Sequence, residues 1–89
     1  MQPKVRFTKE KLAKVLRYNE GKRFETYYKS RNFSESCVYT ITGGKMYVDR
    51  SGKGSWADSR FSYREECRHE TTRRILHDHI WELDLTCLD

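Results

Sequence analysis

The stretch that decides the fold is CVYTITGGKMYVDR, residues 37 to 50. Gly43-Gly44 separates two runs rich in β-branched and aromatic residues. Two glycines between such runs make a tight hairpin loop, because both central positions can require positive φ. One strand is therefore expected from about Ser36 to Thr42 and its partner from Lys45 to Arg50. On the N-terminal side, SRNFSES is polar and turn-like. Before it, KRFETYYK (22 to 29) alternates Phe24, Thr26 and Tyr28 with Arg23, Glu25 and Tyr27. That period of two argues a third strand, giving a three-stranded antiparallel meander.

A helix precedes the meander. Thr8 is placed as its N-cap, Phe7 and Leu12 as a hydrophobic staple and Gly21 as its stop. Leu12, Val15, Leu16 and Asn19 share one face at helical spacing, which leaves Lys11, Lys14, Arg17 and Tyr18 on the other.

On the C-terminal side, RSGKGSWADSRF has loop composition to about Ser59. Ser62-Tyr63-Arg64-Glu65 fits an S-x-x-E capping box that would open a second helix ending near His79. Its first turns are almost wholly polar, and Ile75, Leu76, Ile80 and Leu83 arrive only later. From His79 the odd positions alternate with Glu82, Asp84 and Thr86, so a short final strand over Trp81 to Cys87 competes with helix continuation.

The expected fold class is α+β: a single small domain over residues 1 to 89, with an N-terminal helix, a three-stranded antiparallel meander, a C-terminal helix and the debated final strand. The core is expected from Phe24, Tyr39, Ile41, Tyr47 and Leu76. This α-β-β-β-α order resembles that of double-stranded RNA-binding domains in element order. The lysine-rich opening of their last helix is replaced here by SYREECRHE, so no binding residue is carried over.

Composition bounds the function. A chain of 89 residues buries only about 60 to 65% of its unfolded surface, which disfavours a deep enclosed active site. Aromatics reach 13%, which argues a folded domain. No run of 18 apolar residues and no apolar segment behind MQPKVRFTKE is present, so a soluble, cytoplasmic protein is expected. Cys37, Cys67 and Cys87 are odd in number and widely spaced, and read as free thiols.

All 18 Lys and Arg lie within residues 1 to 74, against nine acids, while residues 75 to 89 hold four acids and no cation. Such asymmetry predicts a positive face drawn to nucleic acid or to an acidic protein surface.

RSGKGSW is not a nucleotide loop. G-x-x-x-x-G-K-[ST] needs a first glycine where Tyr47 stands and a hydroxyl residue where Gly54 stands. Cys67, His69, His77, His79 and Cys87 lack paired metal-ligand spacing, since two residues along a helix are about 200° apart. No metal and no cofactor is expected. His69, His77, Glu66, Tyr63 and Arg73 could serve a small metal-independent ribonuclease, with cations steadying phosphate while His, Glu or Tyr moves protons.

Cations interleave with aromatics along the chain, the usual chemistry of single-stranded nucleic-acid surfaces. The expectation is a non-catalytic basic binder of RNA or another single strand, monomeric or homodimeric, in contact through Lys11, Lys14, Arg17, Tyr18, Lys22, Arg23, Tyr28, Lys29, Arg50, Lys53, Trp56 and Arg60. The rival from another class is an inhibitor or adaptor docking on an acidic surface of a nucleic-acid-processing enzyme, because Arg, Tyr and Trp also favour protein interfaces. In size and style the chain is similar to bacteriophage-encoded accessory proteins of that kind.

Overall fold

The computed structural model describes residues 6–54 and 59–88. Helix α1 (Lys9–Tyr18) is followed by strands β1 (Arg23–Lys29), β2 (Ser34–Thr42), β3 (Lys45–Lys53) and β4 (Arg60–Glu66), then by helix α2 (His69–Asp78) and two 3-10 turns (Ile80–Glu82 and Thr86–Leu88). The strands form one antiparallel sheet in the order β1-β2-β3-β4.

Local chemistry accounts for the first three strands and α1. Gly43 and Gly44 take φ of 61° and 74°, so the hairpin closes through a two-residue turn with both φ values positive, and Thr42 faces Lys45. The Lys11 amide donates to Thr8 Oγ1 at 3.3 Å, and Phe7 and Leu12 are both buried, as the cap and staple predict. Gly21 turns the chain out of α1 at φ 84° and donates its amide to the Ile41 carbonyl. The Gly43 amide in turn donates to the Glu20 carboxylate, which ties the end of α1 to the hairpin.

The sheet has four strands rather than three, because residues 60–66 pair with β3 instead of opening α2. Charges that read as helical neighbours are cross-strand neighbours. Arg64 lies opposite Asp49 and bonds it at 3.3 Å, stacks over the Tyr47 ring at 4.9 Å, and stands two residues before Glu66, which pairs with Lys45. A seven-residue ladder along the free edge of β3 outweighs the capping-box preference of Ser62. The element order is therefore α-β-β-β-β-α, which departs from that of double-stranded RNA-binding domains.

Trp81 to Cys87 is not a strand. Asn19, buried at the end of α1, donates through Nδ2 to the carbonyls of Val15 and Asp84 and accepts from the Asp84 amide, and the tail folds against α1 in 3-10 turns. Leu83, Leu85 and Cys87 turn inward while Glu82, Asp84 and Thr86 face out, but Trp81 is exposed and Leu88 packs on the core, so the alternation holds only over residues 82 to 87 and marks no ladder.

The core lies between the helices and one sheet face. Phe7, Leu12, Val15 and Leu16 from the N-terminal segment and Ile75, Leu76 and Ile80 from the C-terminal one cover Phe24, Cys37, Tyr39, Ile41, Met46 and Val48. Tyr47 falls outside it, because one residue of shift along β3 turns a side chain to the other face. A ten-residue helix is about 15 Å long and a nine-residue strand about 30 Å. Both helices are ten residues long and β2 and β3 are nine, so the strands run on past their cover and the molecule measures 51 × 30 × 18 Å.

Candidate nucleic-acid interface

Period-two alternation sends each strand's side chains to two faces, and the register arranges them in rungs across the sheet. On the face opposite the helices the rungs are Arg23, Thr40, Tyr47, Glu66; then Glu25, Val38, Asp49, Arg64; then Tyr27, Ser36, Ser51, Ser62; and last Lys29, Ser34, Lys53, Arg60. No residue in these rungs is buried.

The charges of the first two rungs are all paired, Glu66 by Lys45 just beyond them. Arg23 pairs with Glu25 at 3.0 Å and Arg64 with Asp49 at 3.3 Å, and Glu66 pairs with Lys45 at 3.4 Å. The last two rungs differ in kind, being four hydroxyls followed by three cations and a serine. Adjacent strands stand about 4.8 Å apart and successive rungs about 7 Å apart. Lys53 and Arg60 are thus direct cross-strand neighbours of like charge, with Lys29 two strands away on the same rung. Like charges directly opposite one another destabilise a sheet. Among the described residues no carboxylate lies within salt-bridge distance of any of the three.

The helix-side face of the same end carries aromatics. Tyr28, Phe33, Phe61 and Tyr63 follow one another at ring-centroid spacings of 6.2, 6.0 and 6.2 Å, with Phe33 and Phe61 within 17° of parallel. Phe61 reaches across to Gly52, its partner on β3. A methyl at Gly52 would run into the Ser34 carbonyl oxygen and come within 2.8 Å of Phe61 Cζ. The first glycine of RSGKGSW, Gly52, is therefore a strand position that admits no side chain.

The residues expected to make contact fall into separate groups. Lys11, Lys14, Arg17 and Tyr18 line the exposed side of α1, with Lys22 and Arg23 at the start of β1; Lys29, Lys53 and Arg60 occupy the far rung, and Tyr28 the aromatic strip behind it. Arg50 is on the helix-side face and internally engaged, its guanidinium 3.4 Å from both Glu35 and Glu65 and 3.5 Å from Cys37 Sγ. Burial works against its charge, but the neighbouring Cys37, Tyr39 and Glu35 outweigh it and hold the pKa above the ordinary arginine value. Burial, then the Glu35 contact, pushes the Cys37 thiol up, and burial does the same to Cys67. Trp56 lies outside the described residues.

The ribonuclease candidates are dispersed. His69 opens α2 beside a surface pocket that Lys45 and Glu66 also line, whereas His77 lies about 12 Å further along the helix and packs edge-on against Phe7 at 4.8 Å. Tyr63 belongs to the aromatic strip, and Arg73 is half-buried. Among the described residues no group of three His, Cys, Asp or Glu is placed to hold a metal ion, and no helix is long and apolar enough to cross a membrane.

The hydroxyl rung and the participation of Phe33 are absent from the sequence expectation. The signal for the fourth strand that completes the rung is the alternation Arg60-Phe61-Ser62-Tyr63-Arg64, which has strand period but overlaps the capping box, and Phe33 carries no such signal. No family model matches this chain, nor does any curated protein or solved structure.

Proposed function

We propose that the protein is a small non-catalytic nucleic-acid binder that holds the sugar-phosphate backbone on the far end of its open sheet face. The observation that carries this reading is the rung Lys29, Ser34, Lys53, Arg60, where two cations face each other directly beside a rung of hydroxyls. A polyanion converts that repulsion into attraction, and serine hydroxyls donate to phosphate oxygens. The net charge of +5 and its concentration before residue 75 supply long-range attraction. The exposed cations of α1 add a second basic strip, which a long enough ligand could also reach.

The test is a titration of labelled single-stranded RNA, duplex RNA and DNA at about 50 and 200 mM salt, where a surface with several phosphate contacts loses affinity steeply. The Lys29→Ala, Lys53→Ala, Arg60→Ala triple variant should lower the log-log salt slope by about 2, since each contact to a single strand contributes roughly 0.7, and should leave the unfolding midpoint unchanged or raised. Absence of binding at about 50 mM salt with micromolar protein would sink the reading. A stoichiometric protein ligand held by the same rung would assign the surface to the inhibitor class.

A further inference from the structure

The far end of the sheet has a second face, and the cationic rung does not use it. Tyr28, Phe33, Phe61 and Tyr63 form an unbroken strip there, beyond the reach of both helices among the described residues. Its two ends are the open part, with Tyr28 58% and Tyr63 49% exposed, while Phe33 and Phe61 are half-buried between them. Buried aromatics stabilise a sheet, but exposed tyrosines at both ends of a ring series do little for folding.

We propose that this strip is a stacking track for the unpaired bases of a single-stranded nucleic acid. The inference rests on the backbone-binding reading above and names its substrate class. Three features carry it. The ring spacing of 6.0 to 6.2 Å is nearly twice the roughly 3.4 Å rise along a duplex strand, so it suits bases splayed apart and not a continuous base stack. The strip is anchored: Gly52 has no side chain, which lets Phe61 lie across β3 and meet Phe33 in a nearly parallel orientation. The charges are in the right place as well. Lys29, Lys53 and Arg60 each adjoin, along their own strands, the rung of Tyr28, Glu35, Gly52 and Phe61, in which the Glu35 carboxylate is paired with Arg50. They form the last rung of the described ladder, and their flexible stems can bring cations to the backbone of a strand whose bases lie on the rings.

The experiment compares three labelled ligands of equal phosphate number: a base-bearing single strand, the same strand made abasic throughout, and a duplex. The base-bearing strand should bind at least tenfold more tightly than the abasic one, because stacking on an aromatic side chain contributes about five- to a hundredfold per base. Tyr28→Ala and Tyr63→Ala should each erase most of that advantage while leaving the salt slope intact, and Tyr63→Phe should retain it. Both positions are exposed, and a circular dichroism spectrum confirms that each variant folds. If base-bearing and abasic strands bind alike, the track is wrong while the cationic rung stands; if neither binds, both readings fall. A preference for duplex over the base-bearing strand would also overturn the track, as would a protein ligand lost on Tyr63→Ala while both strands bind equally.

Discussion

Under the helices the sheet presents Phe24, Tyr39, Ile41, Met46 and Val48, none more than 3% exposed. Two rungs further along the same strands, the same face carries Tyr28 and Phe61, and Tyr63 flanks them on the rung between. One ladder of backbone hydrogen bonds serves both ends, so the pairing is shared and the packing is not. The covered end is held by burial from two sides. The far end has strand pairing, one row of rings and a set of cations that no described acid answers. A chain of 89 residues completes one compact core, and among the described residues the remaining strand length lies outside it.

The largest expected effect comes from emptying the covered end. Ile41 is fully buried between sheet and helices, and Ile41→Ala should cost about 2 to 5 kcal/mol, from lost transfer energy plus the cavity left behind. Tyr27, 66% exposed on the open face of the far half, should change stability by less than about 0.5 kcal/mol on mutation to Ala. Urea unfolding of both variants measures the difference. Equal losses would mean that the far half also shares a packed core.

Gly52→Ala is expected to rank second, and it sharpens the comparison because it lies in the far half. There the added methyl meets backbone, the Ser34 carbonyl, which cannot swing aside as a side chain could. Overpacking of this kind costs about 1 to 3 kcal/mol. Near-native stability in the same unfolding assay would show that the β2–β3 ladder relaxes at this point, and that Phe61 is less tightly seated than its position over Gly52 implies.

The same division explains what could be read in advance. Wherever a local rule had no rival, the structure follows it: Gly43-Gly44 closes the hairpin, Thr8 caps α1, and Leu12, Val15, Leu16 and Asn19 turn to the core. Ser62-x-x-Glu65 also satisfied a local rule, and there the rule lost. The free edge of β3 could be filled only by a neighbouring strand, and a preference of about 1 kcal/mol for capping does not outweigh a seven-residue ladder. At the candidate site, Lys29, Lys53 and Arg60 were recognisable as cations. Their alignment on one rung depends on the register of β1 through β4, and that register became visible only with the fourth strand in place. Likewise Tyr28 was singled out as an aromatic, but the strip it begins includes Phe33 in a turn and Phe61 and Tyr63 from a segment read as loop and helix.

The smallest effect belongs to the tail that closes the covered end, and it depends on pH. Asp84 Oδ1 accepts from the Thr86 hydroxyl at 2.6 Å and from the Thr86 amide at 3.0 Å. The hydroxyl bond first, and the amide bond after it, hold its carboxyl below the ordinary aspartate range. A carboxylate with a depressed folded pKa contributes stability that is complete above its unfolded pKa, near 3.9, and is lost as pH falls through the folded value. Asp84→Asn, which resembles the protonated acid, should therefore be slightly less stable than the parent from neutral pH down to about pH 4, and the gap should close in stronger acid. The residue is exposed and solvent screens its charge, so the difference is small and is best followed as urea midpoints of both proteins measured side by side. A gap that persists unchanged at the lowest pH would show that the substitution acts through the tail backbone anchored by Asn19 and not through the charge on Asp84.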